Sequence, residues 1–148
     1  MKKSTQLFTY RYPRPAVTTV ALVFVEEGNN YSVLLIRRGQ EPFKGKWALP
    51  GGFVQMDELL ETACKRELQE ETGLTVKKMK QFKAYDAIDR DPRHRTISVV
   101  FFTSLFSKAE VKGGDDAAHA EWFSLSNLPP MAFDHEDILR EFFESETF

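Results

Sequence analysis

Residues 51–74 read GGFVQMDELLETACKRELQEETGL, with six acidic side chains in twenty-four positions. Glu67, Glu70 and Glu71 fall within five residues, directly before Thr72 and Gly73. From Asp57 onward, Leu60, Ala63, Cys64 and Leu68 recur at helical spacing. The pattern predicts a helix with Asp57 as its N-cap and Gly73 just past its end. Glu67 precedes Glu70 by three residues and Glu71 by four, so all three project over nearly one face of that helix.

Like charges at those spacings repel, and the C-terminal end of a helix disfavours anions. The three glutamates alone fit a solvated acidic face. Their neighbours favour a metal site instead. Gly51 and Gly52 let a backbone approach closely, and Arg66, four residues before Glu70, is placed to brace a carboxylate. Two local rules broken at one place are the mark of a functional site. Carboxylates without His or Cys suit hard ions, Mg²⁺ or Mn²⁺, and Mg²⁺ with few protein ligands works together with substrate phosphates.

Working outward, Val17 to Val25 (VTTVALVFV) and Tyr31 to Arg38 (YSVLLIRR) read as two strands of a hairpin across the turn EEGNN. Trp47 to Leu49 is a short apolar piece that Pro50-Gly51-Gly52 interrupts. Leu74 to Ile88 offers one or two strands, Thr96 to Phe106 a buried strand, and Glu121 to Leu125 a short one. Asp134 to Glu146 reads as an amphipathic helix capped by Asp134, with Ile138, Leu139, Phe142 and Phe143 on its apolar side. Strands flanked by two helices give an α/β or α+β sandwich.

The 148 residues suit one compact domain over 1–148, and no repeat or linker divides them. A net charge of -2 gives no bulk attraction to nucleic acid or an anionic membrane, so an anionic substrate needs local groups or metal ions. The one cysteine, Cys64, excludes an intrachain disulfide and fits a reducing compartment. It faces the buried side of the helix and is expected to be inert. The N-terminal MKKSTQLFTYRYPRP lacks the apolar core of a secretory signal, and no apolar run approaches bilayer length, so the expected location is cytoplasmic.

The segment as a whole resembles the Nudix box, the signature of the Nudix hydrolases: G-x5-E-x7-R-E-U-x-E-E-x-G-U, with U aliphatic. Gly52, Glu58, Arg66, Glu67, Leu68, Glu70, Glu71, Gly73 and Leu74 fill all nine specified positions over residues 52–74. At background residue usage, coincidence at one register is on the order of 10⁻¹⁰. The resemblance implies an α/β/α sandwich around a central mixed β-sheet, with the box as a loop-helix-loop against it. It implies hydrolysis of a nucleoside diphosphate linked to another group. Glu67, Glu70 and Glu71, with the backbone at Gly51, become the implied metal site, and Arg66 the partner that orients them within the catalytic set. Glu58 supports the helix start or a further metal, and Gly52 and Gly73 support the box. Either a box glutamate or Asp116 takes the proton of the attacking water.

Three further stretches are similar to small ADP-ribose pyrophosphatases of that family: YPRPAVT at 12–18, IDRDPRHRTISVVFF at 88–102 and DDAAHAEWFSL at 115–125. In the last, His119 stands where the family pattern has glutamate. Arg37, Arg38, Arg90, Arg93 and Asp116 are the substrate-binding candidates, with His94 and Arg95 in the same basic loop, where Asp89 and Asp91 can pair with them. Residues 86–95 are therefore the expected place of substrate contacts. Tyr10, Tyr12 and Phe53 are candidates to stack on a base. Trp47 and Trp122 read as core anchors, and His94, His119 and His135 as surface histidines. The resemblance implies ADP-ribose as substrate, giving AMP and ribose 5-phosphate, in a small homodimer. Nucleoside triphosphates and other sugar nucleotides are the alternatives. Relatives sharing the FKGKW-x-L-x-GGFV-type loop serve as sensing domains of transcription regulators, with a winged-helix domain following and degraded box glutamates. The intact box, and a chain ending at Phe148, make the enzyme the expectation.

Overall fold

The computed structural model describes residues 6–113 and 117–145. Its centre is β1 (Ala16–Glu27), every residue of which from Thr18 to Val25 is buried. β1 turns at Gly28 (φ 62°) into β2 (Asn30–Arg38), with Phe24 opposite Val33 and Glu27 opposite Asn30. The hairpin expected from the sequence is therefore present. β1 also runs parallel to β6 (Thr96–Leu105) along ten residues, from Ala16 beside Thr96 to Val25 beside Leu105. β5 (Lys80–Tyr85) pairs antiparallel with β6, and β7 (Ala117–Ser124) pairs antiparallel with β2. Two short strands, β3 (Trp47–Ala48) on β2 and β4 (Gly51–Phe53) on β1, complete a mixed sheet.

Side chains alternate across a strand, so a strand buried on both faces must be apolar throughout. Ala21 and Val23 pack with Leu34, Val99 and Phe101 against Cys64 and Leu68 of α1 (Leu60–Thr72). Val20, Leu22 and Phe24 pack with Leu35, Val100 and Phe102 against Ile138, Leu139 and Phe142 of α2 (His135–Glu144). The result is the α/β/α sandwich with a mixed central sheet. No described helix is long and apolar enough to cross a membrane.

Several boundaries differ from the sequence-based expectation. α1 begins at Leu60, and Leu59, not Asp57, holds the N-cap position without a side-chain bond. Glu58 explains the delay: its carboxylate accepts from the Gln55 N–H (2.8 Å) and from Arg66, which holds residues 55–58 in a turn. Gly73 ends the helix as predicted, at φ 77°. Gly51 and Gly52 do not break the strand but form one, since Val20 and Thr19 supply its pairing partners. Asp134 does sit at the N-cap position of α2, but its carboxylate makes no capping bond. The 121–125 strand extends back to Ala117 on the edge of β2, and Leu125 begins a 3₁₀ turn, Leu125–Asn127.

Phe142 is fully buried, with its ring within 5.6 Å of the rings of Phe24, Phe82, Phe102 and Phe143. Phe142→Ala is expected to lower stability by about 3–5 kcal/mol. Urea unfolding would measure it, and a loss below about 1 kcal/mol would mean that α2 is not docked as described.

Candidate active site

The site is built where β4 passes beneath α1. Both glycines of β4 are required by that approach. A Cβ at Gly51 would overlap the Thr19 carbonyl, and one at Gly52 would overlap the carboxylate of Glu67. Glu67 is accordingly only 1% exposed.

Arg66 organises the acidic residues around it. Its Nε and Nη2 donate to the two oxygens of Glu58 at 2.9 and 2.6 Å. Nη1 donates to Glu67 at 2.8 Å and Glu70 at 3.1 Å, and Nη2 also reaches the Phe53 carbonyl at 3.2 Å. The fork geometry of the guanidinium permits this, and a lysine would not reproduce it. The hydrogen bonds from Arg66 hold the Glu58 carboxyl below its ordinary range despite burial, and the bonds to Glu58, ahead of those to Glu67, raise the Arg66 pKa further. Glu71 faces the other way and accepts from the Gly51 N–H at 2.8 Å. Arg66 thus gathers Glu58, Glu67 and Glu70, while Glu71 is held apart on the Gly51 N–H, Gly52 lies against the Glu67 carboxylate and Gly73 follows the last turn of α1.

Among the described residues, no three His, Cys, Asp or Glu side chains are gathered as ligands around one point. The donor chemistry nevertheless fits a hard divalent ion: three carboxylates from successive turns of one helix, a backbone passing close to them, and no soft donor.

A cleft of about 170 Å³ opens beside this cluster. Gly51, Gly52 and Glu71 line one part of it, and Arg38, Phe53, Arg90, Arg93, Phe133 and His135 line others. Of the predicted substrate residues, Arg38, Arg90 and Arg93 reach it. Arg37 does not: it is exposed and donates to the Gly45 carbonyl at 3.3 Å. Asp116 lies outside the described residues. Arg90 is held bidentately by Asp134 (2.9 and 2.7 Å), and its Nη1 donates to Ser98 at 2.6 Å. Arg93 is held by Asp91 at 3.1 and 2.8 Å. Burial would raise the Asp91 pKa, but the Arg93 side-chain and backbone bonds outweigh it and hold the carboxyl below its usual range. Arg38 donates to the Pro42 carbonyl at 2.7 Å and lies over the Phe133 ring. Arg95 is spent on the Asp86 carbonyl, and His94 on Thr96.

Phe53 lines the cleft, whereas Tyr10 and Tyr12 do not; Tyr10 donates to the Met56 sulfur instead. Trp47 packs against Phe123, and Trp122 donates to the Ala109 carbonyl, so both anchor strands as expected. Cys64 is fully buried, and its desolvation pushes the thiol up to about 12, so it is inert as predicted.

His119 is exposed and lies near Glu121. His135 corrects the sequence reading, which took it for a surface residue. It is 7% exposed, and its Nδ1 accepts the Leu49 N–H at 3.0 Å. Burial lowers its pKa to about 4. Phe133 was missed as well. No signal in the sequence marks it: its backbone has φ 52°, which no residue-type rule assigns to phenylalanine.

A buried carboxylate cluster braced by one arginine, beside a cleft of arginines and aromatic rings, defines a hydrolase of phosphorus anhydrides. The chain belongs to the family of the NUDIX domain, whose model matches residues 14–143, and it is a Nudix pyrophosphohydrolase. It is 46% identical over 141 residues to an ADP-ribose pyrophosphatase of Methanocaldococcus jannaschii, covering 95% of this chain and 80% of that one. The NUDIX domain of Shewanella oneidensis NrtR, crystallised with ADP ribose, superposes with a TM-score of 0.84 at 27% identity, over 92% of this chain and 91% of that one. A Francisella tularensis bifunctional NMN adenylyltransferase/ADP ribose pyrophosphatase, crystallised with AMP and a Mn ion, gives 0.82 at 33% identity, over 92% of this chain and 43% of that one.

Neutral burial of His135 has a pH consequence. Above the unfolded value near 6.5 the ring is neutral in both states and its burial is not penalised. As pH falls from about 6.5 to about 4, the unfolded chain takes up a proton that the folded chain does not, so stability is lost over that window. The loss is on the order of 3 kcal/mol. Urea unfolding at a series of pH values should show a shallower decline for His135→Asn than for the native chain. An unchanged decline would mean that His135 is protonated within the fold.

Proposed function

We propose that this chain hydrolyses ADP-ribose with Mg²⁺ as cofactor and Mn²⁺ as a substitute, releasing AMP and ribose 5-phosphate. The observation that carries the reading is the cluster of Glu58, Glu67 and Glu70 around Arg66, with Glu71 on the Gly51 N–H, set beside a cleft lined by arginines and phenylalanines. The identity to the archaeal ADP-ribose pyrophosphatase supports the choice of substrate.

Water adds to one phosphorus, the bridging P–O bond breaks, and the leaving phosphate departs with the bridging oxygen. A divalent ion, when bound, offsets the diphosphate charge and lowers the pKa of the attacking water. Glu67, Glu70 and Glu71 would hold it, with the backbone at Gly51. Arg66 orients the Glu67 and Glu70 carboxylates through hydrogen bonds from its Nη1. A box carboxylate or Asp116 receives the proton of the water. Most of the acceleration then comes from positioning and electrostatics.

The reading extends to a homodimer in the cytoplasm. The exposed Leu7, Phe8, Tyr12, Met56 and Leu59 support a self-association surface, and the single buried cysteine supports a reducing compartment. Light scattering on an eluting peak tests the oligomeric state.

The function test is incubation with Mg²⁺ and ADP-ribose, other sugar nucleotides or nucleoside triphosphates, with products followed by chromatography. AMP and ribose 5-phosphate are expected from ADP-ribose, with at least a hundredfold loss of rate in Glu70→Gln and in Glu71→Gln. Preferential pyrophosphate release from a triphosphate would move the assignment to that substrate. The NrtR domain raises a second outcome, since it holds ADP ribose within a similar fold: binding of ADP-ribose without turnover would make this chain a sensor.

A further inference from the structure

Residues 132–135 form a turn that the box does not explain. Phe133 has φ 52°, a conformation that a bulky side chain rarely adopts and that persists only where its surroundings enforce it. Bonds on all sides do so here. The Ala132 N–H donates to the Trp47 carbonyl at 2.7 Å. Asp134 grips Arg90, whose Nη1 is bonded to Ser98 of β6. His135 accepts the Leu49 N–H.

The strained residue presents an aromatic ring to the cleft. Phe133 and Phe53 both line it, with the Arg93 guanidinium 5.8 and 5.3 Å from their ring centroids. The Arg38 guanidinium lies 4.9 Å from the Phe133 ring. Phe43, which also has a positive φ of 61°, braces Phe133 from 4.9 Å.

His135 adds a donor of fixed kind. A backbone N–H donates to Nδ1, so the proton of the neutral ring sits on Nε2. His135 lines the cleft, and Nε2–H is the hydrogen-bonding group that its ring has left for a ligand acceptor there. Meanwhile Asp134 and Asp91 compensate Arg90 and Arg93. This part of the cleft therefore combines ring faces, a neutral donor, two arginines matched by carboxylates and a third, Arg38, laid over the Phe133 ring. That chemistry suits an uncharged aromatic ring with ring acceptors better than a phosphate.

On the reading given under Proposed function, we propose that the 132–135 turn is the base-recognition element of the cleft. Phe133 stacks on the purine and His135 Nε2–H donates to it, while the diphosphate lies toward Gly51, Gly52 and Glu71.

The test uses the two reaction products as probes. Calorimetric titration of the full chain with AMP and, separately, with ribose 5-phosphate compares the native protein, His135→Asn and Phe133→Gly. The Asn side-chain oxygen can replace Nδ1 as acceptor for Leu49 while removing the Nε2 donor. Glycine removes the ring and accepts the positive φ. Thermal melts identify any variant that fails to fold, and the other variant then carries the test. Each folded variant is expected to bind AMP at least tenfold more weakly with ribose 5-phosphate unchanged, and to raise KM for ADP-ribose more than it lowers kcat. Unchanged AMP affinity, or weakened ribose 5-phosphate instead, overturns the base assignment while leaving the hydrolase reading intact. A native chain that neither turns over ADP-ribose nor binds AMP overturns both.

Discussion

The bonds from Arg66 to Glu58, Glu67 and Glu70 are the constraint on which the site depends. Without that cation, three nearly buried carboxylates, Glu67 and Glu70 on α1 and Glu58 in the turn before it, would stand close together with no opposite charge between them. With it they are held close together by hydrogen bonds, in an arrangement that a divalent ion can use. The same pairing sets the helix boundary, because Glu58 is drawn to Arg66 and to the Gln55 N–H and cannot enter the first turn. A residue that serves the chemistry thus also determines where α1 begins.

The second constraint is contact between backbones. β1 pairs with β2, β4 and β6, so one strand fixes the position of both the hairpin and the box loop. β4 approaches so closely that neither of its glycines has room for a Cβ. On the other side a polar chain runs from Thr18 on β1 to Ser98 on β6, then to Arg90 and Asp134 at the start of α2. The two helices lie on opposite faces of the sheet, and α1 meets the cleft through Glu71 while α2 meets it through His135.

What the sequence made legible follows the range of the interactions. Periodicity disclosed both helices and the long strands because burial repeats every few residues along each of them. The box glutamates were legible because their chemistry is local to one helix. The N-cap of α1 was not, since Asp57 lost to a contact eight residues apart between Glu58 and Arg66. His135 looked like a surface residue because its partner, the Leu49 N–H, is 86 positions away. Phe133 gave no warning at all, for its conformation is imposed by neighbours on β3 and in the 86–95 loop.

The arginines show most clearly how partnering changes a reading. In the sequence Arg90 and Arg93 are cations in a basic loop, and anion binding is the natural role for them. In the fold Asp134 and Asp91 each take one, and Arg90 is almost wholly buried. A compensated, immobilised guanidinium attracts a diphosphate far less than a solvated one, but it fixes a loop and offers a flat face for stacking. The charge needed to hold a diphosphate must then come largely from elsewhere. The carboxylate cluster cannot supply it unaided, since it repels an anion. Only a cation seated on those carboxylates reverses the sign there, which is why the acidic helix and an anionic substrate are compatible.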